Sequence, residues 1–162
     1  MEPKKIALFG CGGFAQNHIR EISKWNNVVI AYLIDPSLEN RERSAGVYKD
    51  NRGVSPQGFS SLDSFISSDP SFDAGVVVTP PDTHFEISES VLNSGKSVYV
   101  EKPFTVSVED AIKLNSLAKQ NGVDITIGAN RCVLISGRTQ HIQLQVLLQI
   151  IALITVISCL LT

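Results

Sequence analysis

The chain has 162 residues, 43% of them hydrophobic and 19% charged, with a formal net charge of −2. That is enough to bury one ordinary core, and it provides no basic face of the kind that neutralises nucleic-acid phosphates. Cys11, Cys132 and Cys159 are too few and too widely spaced for a disulfide framework or a CxxC metal site, and no apolar segment of signal-peptide length opens the chain, so a reducing, cytoplasmic location is expected.

Lys5 to Phe9, KIALF, is a short apolar run ending on glycine, which predicts a buried parallel strand. After the glycines, Ala15, Ile19 and Ile22 fall at i, i+4 and i+7, a helical stripe with Trp25 just past its end. Val28 to Ile34 predicts a second strand, closed by Asp35-Pro36. Residues 37 to 60 are polar and give no clear element. Ser61 to Ser67 then predicts a short helix, and Asp73 to Val78 a central strand closed by Thr79-Pro80-Pro81. The segment from Thr83 to Asn93 predicts a helix with Ile87, Val91 and Leu92 inward and Gly95 placed to cap its end. Ser97 to Val100 is the next strand. Ser107-Val108-Glu109-Asp110 resembles a capping box, ahead of a stripe of Ala111, Leu114 and Ala118 that stops at Gly122. Val123 to Ile127 is the last strand.

Strands alternating with helices of this length build right-handed βαβ units, so the expected fold is α/β, a doubly wound parallel sheet with helices on both faces. Ligands in such sheets bind beyond the carboxyl ends of the strands, where the glycine loop, Asp35, Thr79-Pro80 and Glu101-Lys102 all fall.

Gly10-Cys11-Gly12-Gly13-Phe14-Ala15 fits G-x-G-x-x-G/A between a strand and a helix. Gly10 permits the tight turn, Gly12 lets the backbone approach a pyrophosphate at the helix N-terminus, and the small Ala15 lets helix and strand pack closely. A ligand-free glycine turn and the nucleotide loop of a methyltransferase fit the same pattern. Asp35 ends the second strand, about where an acid accepts hydrogen bonds from ribose hydroxyls, although an Asp before Pro also suits a plain turn. Cys11 reads as a small loop residue, since no base stands beside it in sequence. Lys102, in VYVEKPF, lies at the mouth of a buried strand; loss of solvation there depresses an ammonium's pKa and suits proton transfer, against the usual fate of lysine as a surface charge.

IALFGCGGFAQNHI, VVVTPPDTHFEISESVLNSGKSVYVEKPF and AIKLNSLAKQNGVDITIGANR together resemble the N-terminal half of the Gfo/Idh/MocA oxidoreductase family, over Lys5 to Arg131. The most specific part is Thr79-Pro80 with His84, followed after a helix and strand by Gly95-Lys96 and Glu101-Lys102-Pro103. The resemblance implies a Rossmann domain for NAD or NADP, with Thr79, Pro80 and His84 in the cofactor cleft, Glu101 and Lys102 beside the nicotinamide, and Asn130 approaching the same pocket. It implies hydride transfer between nicotinamide and a sugar, cyclitol or related alcohol, with Lys102 as proton acceptor positioned by Glu101. Asp35 repels a 2′-phosphate and so favours NAD, although Ser37, Arg41 and Arg43 follow closely enough to form a phosphate site.

Residues 1 to 131 are therefore expected to form the NAD(P)-binding domain, and 132 to 162 a divergent apolar tail where the family continues into a second α/β domain. From Thr139 to Thr162 the chain has no Lys, Arg, Asp or Glu. The favoured reading is a departure from the ancestral frame near residue 131, which leaves a truncated, catalytically incomplete enzyme. Ile142 to Thr162 also has the ~30 Å helical length of a membrane anchor, though Gln143, Gln145 and Gln149 crowd its first half. A third reading is an apolar element that covers the sheet edge or pairs two chains. A non-catalytic dinucleotide-binding or interaction module is the functional alternative.

Overall fold

The apolar runs that punctuate the sequence become the inner strands of a parallel sheet because helices cover both of its faces. The computed structural model describes residues 2–128. Its strands are β1 (Lys4–Phe9), β2 (Val28–Ile34), β3 (Gln57–Phe59), β4 (Ala74–Val77), β5 (Ser97–Val100) and β6 (Ile125–Ile127). All pair in parallel, in the order β3-β2-β1-β4-β5-β6. The helices are α1 (Ala15–Ile22), α2 (Leu38–Arg52), α3 (Leu62–Ile66), α4 (His84–Asn93) and α5 (Val108–Asn121), with a 3-10 turn over Pro81–Thr83. This is the doubly wound α/β sheet expected from the sequence.

Successive side chains of β1 serve opposite faces, as strand geometry requires. Ile6 and Leu8 join Ile19, Ile22, Ile30 and Tyr48 in one core. Ala7 and Phe9 join Phe65, Ile87, Val91, Leu92 and Leu114 in the other. All four residues of β4 and of β5 are buried, which is why these strands read as unbroken apolar runs. A Cβ on Gly75 would lie 2.9 Å from Cγ2 of Val91, so α4 lies directly on β4.

The stretch from 37 to 60 holds α2 and β3. Helix α2 escapes detection from periodicity because only Ser44 and Tyr48 of it are buried. Its ends carry the signal instead. Ser37 Oγ accepts the Asn40 N–H at 3.2 Å, and Gly53 closes the helix in the left-handed region at φ 72°. Tyr48 then anchors it, its hydroxyl accepting the Ile30 N–H at 2.9 Å, beside the point where the β1–β2 register slips between Ile6 and Ala7. Helix α5 keeps half of the expected capping box: Ser107 Oγ accepts the Asp110 N–H at 3.0 Å. The reciprocal box occurs at α3, between Ser61 and Ser64. Asn130 and the segment from 132 to 162, with the three readings of the tail, lie outside the described residues.

Candidate coenzyme site

The strand order turns back between β1 and β4, so the connections leaving their carboxyl ends diverge and open a cleft. Gly10 forms one wall of it. Its N–H donates to Ile34 O at 2.8 Å, while the Val78 N–H donates to Phe9 O at 2.8 Å, which draws the first loop tight against the segment after β4. Gly10 has φ +90°, a conformation that favours glycine. A Cβ at Gly12 or Gly13 would meet nothing within 4 Å, so both glycines leave open space above the loop. Behind them Phe14 stands at the N-cap of α1 and supplies no side-chain cap, and the first turn carries no acid. Its free N–H groups and helix dipole suit a negatively charged group.

Asp35 fastens this loop to the next element. Its Oδ2 accepts the Cys11 N–H at 2.8 Å and its Oδ1 accepts the Ser37 N–H at 2.8 Å. Arg41 donates to the Asp35 carbonyl oxygen. Arg43 donates to Asn40 Oδ1 at 2.6 Å. Both guanidinium groups thus already serve protein acceptors. Cys11 is buried among these groups; burial and then the Asp35 charge push its thiol up to about 12, which keeps it protonated and unreactive.

The cleft is a cavity of about 660 Å³. Of the residues singled out from sequence, Gly10, Gly12, Gly13, Phe14, Asp35, Thr79 and Pro80 line it. Cys11 and Ala15 lie buried behind the loop. Asn40, Ser60, Ser61, Leu62 and Ile87 are among the other residues that line it. Asn40 and Ser60 were invisible in sequence because they sit in the stretch where no element could be read, whereas Ser61, Leu62 and Ile87 fall in helices the sequence predicted without marking them as part of a site.

His84, Glu101 and Lys102 form a second group that does not line this cavity. His84 is buried, with Nδ1 2.8 Å from Pro103 O and Nε2 2.9 Å from Thr79 O, so it ties the segment after β4 to the segment after β5. Glu101 is 5% exposed. Its Oε1 accepts the Tyr99 hydroxyl at 2.8 Å and faces His18 Nε2 at 3.0 Å, and its Oε2 accepts the Lys102 N–H at 3.2 Å. Burial alone would raise its pKa; the bonds from His18 and Tyr99, with the His18 charge and the Lys102 amide, outweigh that and hold the carboxyl below its usual range. The Tyr99 hydroxyl is pushed strongly up by burial and by Glu101. Lys102 itself is exposed. Burial by the protein therefore does not supply the desolvation expected at the strand mouth, and Glu101 touches the Lys102 backbone amide, with its carboxylate shared between His18 and Tyr99.

His18 and Tyr99 were missed in the sequence. The available signal was a polar residue on a buried face: His18 lies three residues after Ala15 and four before Ile22, on the side of α1 that packs inward.

Residues 4–129 match the family model described as the oxidoreductase family, NAD-binding Rossmann fold. The chain belongs to the Gfo/Idh/MocA family. Similar curated proteins include the UDP-N-acetylglucosamine 3-dehydrogenase of Acidithiobacillus ferrooxidans, 30% identical over 124 residues that make up 76% of this chain and 36% of that protein. The scyllo-inositol 2-dehydrogenase (NAD(+)) of Bacillus subtilis is 35% identical over 66 residues, 41% of this chain and 19% of its own length. Among solved structures, the WlbA dehydrogenase from Bordetella pertussis, in complex with NADH and UDP-GlcNAcA, shares the fold with a TM-score of 0.67 at 24% identity, over 78% of this chain and 37% of that one. This Gfo/Idh/MocA chain thus spans little more than a third of these relatives at most.

Proposed function

We propose that this chain forms the coenzyme half of a dehydrogenase that oxidises a secondary alcohol on a sugar, cyclitol or related compound, with NAD as hydride acceptor. One observation carries the reading: a glycine loop with open space above Gly12 and Gly13 lies at the strand-order reversal, within one cavity that Asp35 also lines. The residues suit a dinucleotide. The amides of the loop and of the first turn of α1 would hold the pyrophosphate, Asp35 the adenosine ribose, and the apolar surface of Ile34, Leu62 and Ile87 the adenine. Asp35 opposes a 2′-phosphate, and Arg41 and Arg43 are engaged by protein acceptors, which favours NAD over NADP.

When bound, the nicotinamide supplies the hydride acceptor. Lys102 takes the proton from the substrate hydroxyl as the C–H bond of the same carbon breaks. Bound coenzyme and substrate provide the desolvation that the exposed Lys102 lacks here, and like charge from the oxidised ring adds to it. The names of the two curated relatives, one acting on a nucleotide sugar and one on a cyclitol, support that substrate class.

Titration of the full chain with NADH, followed by nicotinamide fluorescence, tests the site, and a panel of polyols and nucleotide sugars with NAD⁺ tests the chemistry. Saturable binding with turnover supports the dehydrogenase. Binding without turnover favours a coenzyme-binding module. Absence of binding by folded protein overturns both.

A further inference from the structure

Lys102 lies between two neighbours that are each held by a histidine from a different helix. On one side, Glu101 is 5% exposed and bonds His18 at 3.0 Å and Tyr99 at 2.8 Å, while its other oxygen accepts the Lys102 N–H at 3.2 Å. On the other, the Pro103 carbonyl faces His84 Nδ1 at 2.8 Å. His18 belongs to α1, the helix that follows the glycine loop, and His84 begins α4, which follows Thr79-Pro80. Both helices that frame the coenzyme cleft therefore reach across to grip the Lys102 segment. The glycine at 128 keeps the space clear: a Cβ there would run into the Tyr99 hydroxyl and lie 3.0 Å from Glu101 Oε1.

We infer that His18 is a positioning residue for the reaction: it orients the Glu101 carboxylate, and through the bond from Glu101 to the Lys102 amide it sets where the Lys102 amine stands. A carboxylate accepts only, so His18 Nε2 is the donor in this pair. Removing this donor leaves a buried carboxylate short of one partner, a state costly enough to make Glu101 move or recruit water. Either response shifts the backbone amide it holds. The glycine loop and the proton acceptor are thereby mechanically joined through α1. This inference rests on Lys102 being the proton-transferring group.

The test uses the full chain, with lysines reductively methylated with ¹³C so that each amine gives a methyl resonance. Lys102→Arg assigns the Lys102 signal. His18→Leu is expected to displace that signal while leaving those of Lys4, Lys24 and Lys113 in place, and His18→Gln, whose amide nitrogen reaches the position of Nε2, to restore it. An unmoved Lys102 resonance in folded His18→Leu protein overturns the inference, as does an equal displacement in His18→Gln. If His18→Leu does not fold, His18→Asn, whose shorter side chain cannot reach Glu101, takes its place with the same expectations. No coenzyme is needed, so failure of NADH to bind would sink the dehydrogenase reading without affecting this result.

Discussion

The carbonyl oxygen of Val78 lies where a side chain on Gly10 would begin: a Cβ built there falls 2.6 Å from it. Gly12, two residues on, has open space at the same position. The two glycines therefore fail differently when replaced by alanine. Gly10→Ala meets both the backbone clash and a positive φ, which together cost at least ~2 kcal/mol, and should lower the midpoint of thermal unfolding measured without ligand. Gly12→Ala should melt like the parent and lose NADH affinity in a fluorescence titration. Equal melting of the two variants would contradict this division.

Asp35 offers a test of coenzyme choice. Asp35→Ser removes the acceptor proposed for the ribose hydroxyls and the charge that opposes a 2′-phosphate. NADH affinity should fall about tenfold or more, given ~1.5–3 kcal/mol for a hydrogen bond to a charged group, and the ratio of NADPH to NADH affinity should rise. A ratio unchanged in parallel titrations would remove Asp35 from the selection of coenzyme.

Glu101 makes stability depend on acid in a defined direction. Its pKa in the folded chain lies below the ordinary value, so its contribution is complete above the unfolded carboxyl's pKa of about 4.3 and is lost as pH falls through the lower folded value. Glu101→Gln should be less stable than the parent at neutral pH, and the gap should narrow as pH falls below about 4.3. Denaturant melts at a series of pH values provide the measurement; a gap that widens in acid would reverse the assignment.

Phe65 carries the short helix α3 into the core. It is fully buried and meets Phe9, Tyr32, Phe59 and Phe72 with ring centroids 5.3 to 5.5 Å apart. Phe65→Ala should cost ~3–5 kcal/mol, measurable by urea unfolding. Because Ser61 and Leu62 of the same turn line the cleft, NADH affinity should fall as well.

The sheet was legible because its inner strands are apolar on both faces and its loops end on glycine or proline, as at Gly10, Asp35-Pro36 and Thr79-Pro80. Helix α2 was not, since a helix that buries little beyond Ser44 and Tyr48 has no stripe to read; its caps, Ser37 and Gly53, were the usable marks. The glycine loop and Asp35 were legible as a site because their spacing is local. The contacts around Glu101 were not, because His18 lies 83 residues away in sequence and meets it only after α1 packs against the sheet. Lys102 shows the converse: its motif suggested a desolvated amine, whereas the folded chain leaves it in solvent.

Gly75 is not among the residues that line the cleft, yet it sets how closely the helix beside the mouth can approach the sheet. With no side chain in the middle of β4, helix α4 settles low, Val91 resting on the strand itself. The rim residues Pro80 and Thr83 lie just before that helix, and His84 begins it. An added methyl at Gly75 would act as a shim, lifting the helix and carrying that rim away from the glycine loop. The bare backbone of one inner strand thus works as the spacer that sets the gap a coenzyme must fill.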